Sequence, residues 1–100
     1  MKIYSIEGVE LCEFPGDTLV GANFQGAKFV GVYLQGADLE GANLTGANLQ
    51  GACLQGANLY KANLEGANLR WANLRWAYLK GADLEGAHLQ GANFQGVILK

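Results

Sequence analysis

From Leu19 to Leu99 a large apolar residue, Leu or Phe, recurs at every fifth position, seventeen times without a break. The flanking positions repeat with it. Two residues earlier, from Ala22 to Val97, Ala fills fourteen of sixteen slots, with Val32 and Val97 as the exceptions. Two residues later, from Gly21 to Gly96, Gly fills thirteen of sixteen. One unit reads Ala42-Asn43-Leu44-Thr45-Gly46: small, polar, large apolar, polar, glycine. An internal repeat of this kind is read before anything else, because it decides the architecture.

A step of five excludes the uniform structures. Helical neighbours lie three and four residues apart, so these leucines would spiral around every face of a helix. In a continuous strand they would alternate between the two faces of a sheet. Collagen needs glycine at every third residue. A composite does fit: three extended residues whose first and third side chains point inward, then two residues that turn a corner. Ala and Leu then face the interior, while the Asn or Asp between them faces out. Gly suits the corner because it takes positive φ without steric cost. Sides of this kind wind into a solenoid with a column of Leu and Phe at its centre.

The motif A-[N/D]-[L/F]-x-G, carried by sixteen consecutive units over about four fifths of the chain, resembles that of the pentapeptide repeat proteins. The resemblance implies an all-β fold, a right-handed quadrilateral β-helix with four pentapeptides to a coil and therefore about four coils. At a strand spacing of about 4.8 Å the regular part would be roughly 20 Å long. Residues 1–20 form an N-terminal cap or short strand merging into the first coil, and residues 21–100 form the repeat. Folded on four sides, Leu19, Leu39, Leu59, Leu79 and Leu99 share side one, and Phe24, Leu44, Leu64 and Leu84 share side two. Side three carries Phe29, Leu49, Leu69 and Leu89; side four carries Leu34, Leu54, Leu74 and Phe94. Ten of the sixteen middle slots are Asn or Asp. Their expected role is structural, through side-chain ladders along the coil axis.

Charge narrows the function classes. A net charge of −2 leaves no general footprint for nucleic acid. There is no run long enough to span a bilayer and no signal-like N-terminus, so a cytoplasmic protein without membrane attachment is expected. Cys12 and Cys53 lack metal-site or disulfide-framework spacing. The single histidine, His88, stands in an outward slot with no nucleophile placed beside it by the repeat. Glu65, Asp83 and Glu85 share side two, and Asp38 and Glu40 share side one. A convex wall gives such carboxylates neither a cleft nor unequal environments, so they read as solvated. No catalytic residue, cofactor or metal is expected.

The repeat breaks at three corners, where Lys61, Trp71 and Trp76 replace Gly within one coil. Around them lie Tyr60, Arg70, Arg75, Tyr78 and Lys80, a basic and aromatic belt. Trp, Tyr and Arg are enriched at interface hot spots, so the belt is a candidate surface for a partner protein. The competing reading is purely structural, each Trp lying flat on its coil with Arg70 and Arg75 stacked over the rings. At the other end, Phe94, Val97, Ile98 and Leu99 leave an apolar coil uncovered, and an open β edge of that kind predicts a homodimer by twofold contact. The leading function is a non-enzymatic structural or protein-interaction module. The resemblance also implies an alternative, since some members of the family mimic B-form DNA, bind DNA gyrase and protect it from quinolones or toxins. That mechanism needs a long, strongly acidic rod, which the uncharged stretch from Gly41 to Leu59 and the Arg-Trp belt oppose.

Overall fold

From Gly21 onward the chain turns a corner every five residues and returns to the same side every twenty; the structure, a computed structural model, describes residues 1–100. Single parallel bridges between middle-slot residues hold the register. Asn23, Asn43, Asn63 and Asp83 stack on side two, and Lys28, Asn48, Asn68 and His88 on side three. Tyr33, Cys53, Asn73 and Asn93 stack on side four, and Asp38, Asn58, Tyr78 and Ile98 on side one. The coils are residues 21–40, 41–60, 61–80 and 81–100. Because a side is only three extended residues long, it holds one bridge and never lengthens into a strand.

The backbone of one unit shows why five residues suffice. Ala42 N–H donates to Leu39 across the corner (3.0 Å), Asn43 N–H to Ala22 of the coil before (2.8 Å), and Leu44 and Gly46 N–H to Asn63 and Glu65 of the coil after (2.7 and 2.9 Å). That leaves Thr45 N–H, which no neighbouring coil reaches. The Asn43 side chain takes it, Oδ1 accepting at 3.0 Å. All ten Asn and Asp residues of the middle slots do the same for the amide two positions on. Such a side-chain turn satisfies a donor that would otherwise have only solvent. The expected axial ladder is therefore the minor use of these residues. It forms only at Asn58 to Asp38 (3.2 Å) and Asn68 to Asn48 (3.3 Å), where the Oδ1 that holds the local amide also accepts the axial bond.

Inside the coils the apolar column is closed. Leu39, Leu44, Leu49, Leu54, Leu59, Leu64, Leu69 and Leu74 have no solvent exposure, and the Ala residues beside them pad the column. Burying one such Leu stabilises by about 2 kcal/mol.

The N-terminal segment is a hairpin. Strand β1 (Lys2–Tyr4) pairs antiparallel with β2 (Glu10–Glu13), Ile3 opposite Cys12. The hairpin then continues the solenoid: Tyr33 N–H donates to Tyr4 and Ile6 N–H to Gly31, both at 2.8 Å, joining it to side four of the first coil. Beneath it Phe14 packs tilted against Phe24, and Phe24 edge to face with Phe29, with ring centroids 5.4 and 5.0 Å apart, and the three plug the column. Cys12 packs against this core; burial, with Glu10 adding, raises its thiol pKa. Leu89 is 38% exposed and Leu99 68%, and the amides of Leu84, Gly86, Leu89 and Gly91 have no partner.

Replacing Asn43 by Ala removes the acceptor for Thr45 N–H and should cost about 1 kcal/mol, whereas Asp at the same position keeps an oxygen there and should cost much less. Thermal melts of Asn43→Ala and Asn43→Asp measure the difference; equal losses would mean that the side-chain turn is not what stabilises the corner.

Candidate functional site

Corner geometry explains what is unusual about the third coil. Gly51 and Gly56 turn their corners at φ +69° and +70°, in the left-handed region. One coil later, on the same columns, Trp71 and Trp76 adopt φ 63° and 62°, and Lys61 adopts 57°. For a residue with a Cβ this conformation costs on the order of 1 kcal/mol. No other non-glycine residue in the chain has positive φ.

Packing onto the next coil compensates. Each indole lies over the glycine twenty residues on: a Cβ added at Gly91 would come within 2.2 Å of Trp71 Cε3, and one at Gly96 within 2.3 Å of Trp76 Cε3. Lys61 covers Gly81 in the same way, with its Cγ 3.1 Å from such a Cβ. Glycine at 81, 91 and 96 is thus doubly required, for its φ and for the side chain above it. Sequence reading found the broken corners but not their seats, although the signal was present as Gly exactly one coil downstream.

The belt does not form one patch. Tyr60, Lys61 and Tyr78 come together where sides one and two meet: the Tyr rings are 6.1 Å apart and Lys61 Nζ lies 5.2 Å from the Tyr60 ring centroid. Lys80 follows on side one. Trp71 and Trp76 stand at the two ends of side four, with Arg75 between them and Arg70 on side three just before Trp71. Neither arginine stacks on an indole as the structural reading expected. The x slot aims Arg70 along the coil axis, where its Nη2 lies within hydrogen-bond distance of His88 Nδ1, at 3.1 Å. Arg75 is laid down so that its Nε is buried without a hydrogen-bond partner. Both indoles remain open to solvent on their outer side, Trp71 61% and Trp76 54% exposed.

Elsewhere the surface offers less. Glu65, Asp83 and Glu85 are brought within 4.8 Å of one another on side two, all exposed. Asp83 Oδ1 accepts the Glu85 amide at 2.9 Å. A cleft of about 380 Å³ lies between the hairpin and the first coil, lined by Ile3, Tyr4, Asp17, Leu19, Tyr33 and Asp38 among others. It contains no His or Cys. Sequence reading missed this cleft because nothing in the repeat shows how the cap docks.

The family model for pentapeptide repeats matches residues 19–59 and 67–100, in eight copies. The chain belongs to the pentapeptide repeat family. Its fold is accordingly the right-handed quadrilateral β-helix that the resemblance implied. Among solved structures it is similar to the pentapeptide repeat protein Rfr23 from the cyanobacterium Cyanothece, with 40% identity and a TM-score of 0.75 over 78% of this chain and 54% of that one. It is also similar to a pentapeptide repeat protein of the Arabidopsis thaliana thylakoid lumen, with 34% identity and a TM-score of 0.66 over 83% of this chain and 54% of that one. The chain thus spans about half the length of each. Likeness to QnrB1, a plasmid-mediated fluoroquinolone resistance protein, stops at 20% identity and a TM-score of 0.28, over 78% of this chain and 60% of that one. No curated protein matches the sequence.

The seat of Trp71 can be tested by a double-mutant cycle in this pentapeptide repeat protein. Gly91→Ala alone meets both the strained φ and the indole, and should cost about 2–4 kcal/mol. In a Trp71→Gly background only the φ cost remains, about 1–2 kcal/mol. Urea unfolding of the four proteins gives the coupling; its absence would mean that the indole does not pack on Gly91.

Proposed function

We propose that this chain is a non-enzymatic protein-interaction module whose contact surface is centred on Trp71 and Trp76. One observation carries the reading: two large aromatics occupy corners that glycine turns without strain, and they leave more than half their surface in water. Local strain held in place by packing, and exposed aromatics beside arginine, are both features of binding sites. A solenoid of fixed coils supplies rigidity, so the side chains are displayed without an ordering cost at the moment of contact. Function is argued from this surface and not from the fold, which hosts several roles.

The gyrase-mimic alternative finds no favouring observation. It requires carboxylates spread along the rod, and the exposed indoles and arginines interrupt any such surface. A second contact is proposed at the coil of residues 81–100. Its edge offers both unpaired amides, from Leu84 and Leu89, and unpaired carbonyls, from Ala82 and Ala87, around an apolar rim of Phe94, Val97, Ile98 and Leu99. A row that presents donors and acceptors together is self-complementary, and we assign it to a homodimer with a twofold axis.

Two experiments address these proposals. Trp71→Gly with Trp76→Gly should melt close to the parent protein, because removing two strained residues offsets the lost packing, and should lose partner proteins recovered by the parent in an affinity pull-down. Unchanged recovery would refute the surface. For the second contact, sedimentation at micromolar concentration should give twice the 10.6 kDa chain mass, and Leu99→Lys should return it to monomer; a monomeric parent would end that idea.

A further inference from the structure

The repeat keeps its charges apart. All its carboxylates lie on sides one and two: Asp38 and Glu40, then Glu65, Asp83 and Glu85. Sides three and four carry none through all four coils. Their outward slots hold Lys28, Arg70, Arg75 and His88 among Asn, Gln, Tyr33, Cys53 and Val30. The hairpin that docks on side four forms no ion pair with them. The molecule has one ion pair, Lys2 to Glu10 at 3.7 Å, and it is in the cap. Every cation of the repeat therefore lacks a carboxylate partner within the chain.

Trp71 stands at the corner where the two acid-free sides meet. Arg70 precedes it at the end of side three and Arg75 follows on side four, so the two arginines of the chain stand on the two sides that meet at this corner. Arg70 Nη2 is engaged by His88 and Arg75 Nε is buried, so what each arginine offers a partner is its remaining guanidinium N–H groups. A guanidinium presents a planar fork that fits a carboxylate with two parallel hydrogen bonds, and it gives up its hydration more readily than an ammonium group.

We infer that the Trp71 corner docks an acidic segment of a partner protein, in which carboxylates on either side of an apolar or aromatic residue meet Arg70 and Arg75 while that residue lies on the Trp71 ring. The inference rests on the protein-interaction reading and adds to it the chemistry of the partner. Charge complementarity selects an acidic partner, because the repeat places no carboxylate on sides three and four and both arginines of the chain stand there. The same observations disfavour nucleic acid. Three cations on two sides of a chain with net charge −2 release too few counterions to hold a polyanion. A few carboxylates placed around an aromatic contact are enough for a peptide.

The chain supplies its own probe, since its only two tryptophans are Trp71 and Trp76. The titrant is a capped peptide with one phenylalanine flanked on each side by aspartate and glutamate, followed by tryptophan emission. Saturable change is expected, weakened about tenfold or more by Arg70→Glu with Arg75→Glu, and about unchanged by Glu65→Gln with Glu85→Gln on side two. A peptide with lysine in place of every acid should not bind. Circular dichroism and melting of each variant separate a lost site from a lost fold, and Arg70→Lys with Arg75→Lys, which keeps charge but not the fork, should bind with intermediate strength.

Three outcomes would overturn the inference: equal binding of acidic and basic peptides, tighter binding of an oligothymidylate than of the acidic peptide, or self-association of the parent abolished by the two Arg→Glu changes, which would make side two of a second copy the partner. If the acidic peptide fails while the Trp71→Gly, Trp76→Gly pull-down still loses a protein, the partner chemistry is wrong and the interaction surface stands. If both fail, the surface itself is wrong.

Discussion

A chain that turns a corner every five residues leaves one amide per corner that neither adjacent coil can reach. How that amide is satisfied decides what the middle slot of each unit can carry. Backbone bonds up and down the solenoid use the N–H groups of the middle, apolar and corner residues, and the small residue closes the turn behind it. Only the x residue is left over. An Asn or Asp two positions earlier accepts from it in ten units, and in the remaining six, with Lys28, Tyr33, Cys53, Tyr78, His88 or Ile98 in the middle slot, the amide has no partner in the chain. The polar column is therefore a backbone device with side-chain chemistry to spare. Where it is relaxed, the slot is free to carry an aromatic, a thiol or a charge.

This division of labour explains what the sequence made legible. Period, inward residues and the four-sided stacking all follow from steric rules that repeat identically, so Leu44 and Leu64 could be placed on one column before any coordinates. Contacts that depend on side-chain direction could not. The competing structural reading puts Arg70 over an indole, and it instead reaches His88 on the next coil, because the x slot and the corner slot send their side chains along different paths. Gly91 and Gly96 looked like ordinary corners until Trp71 and Trp76 were seen to rest on them. The docking of Tyr4 and Ile6 on side four was also invisible, since the hairpin lies outside the period and pairs antiparallel to everything it covers.

Strain and exposure meet at the third coil. Two indoles in left-handed conformation are tolerable because each gains a flat seat on glycine, and that seat fixes ring orientation while leaving the outer face free. The arrangement is rigid on one side and open on the other. A patch of this kind gains little from conformational adjustment and depends on a partner already shaped and charged to match it, which is consistent with the segregation of carboxylates to the opposite sides.

The four-sided register has an evolutionary corollary. Gain or loss of a single pentapeptide leaves the Ala and Leu interior unchanged yet turns everything downstream by a quarter of a revolution. Deleting one unit between Leu44 and Leu64 would bring Glu65, Asp83 and Glu85 into line with Asp38 and Glu40, merging two separate acidic areas into a single stripe and moving the arginines to new sides. Large changes of surface electrostatics are thus available to this lineage through unit counting alone, with no substitution and no repacking.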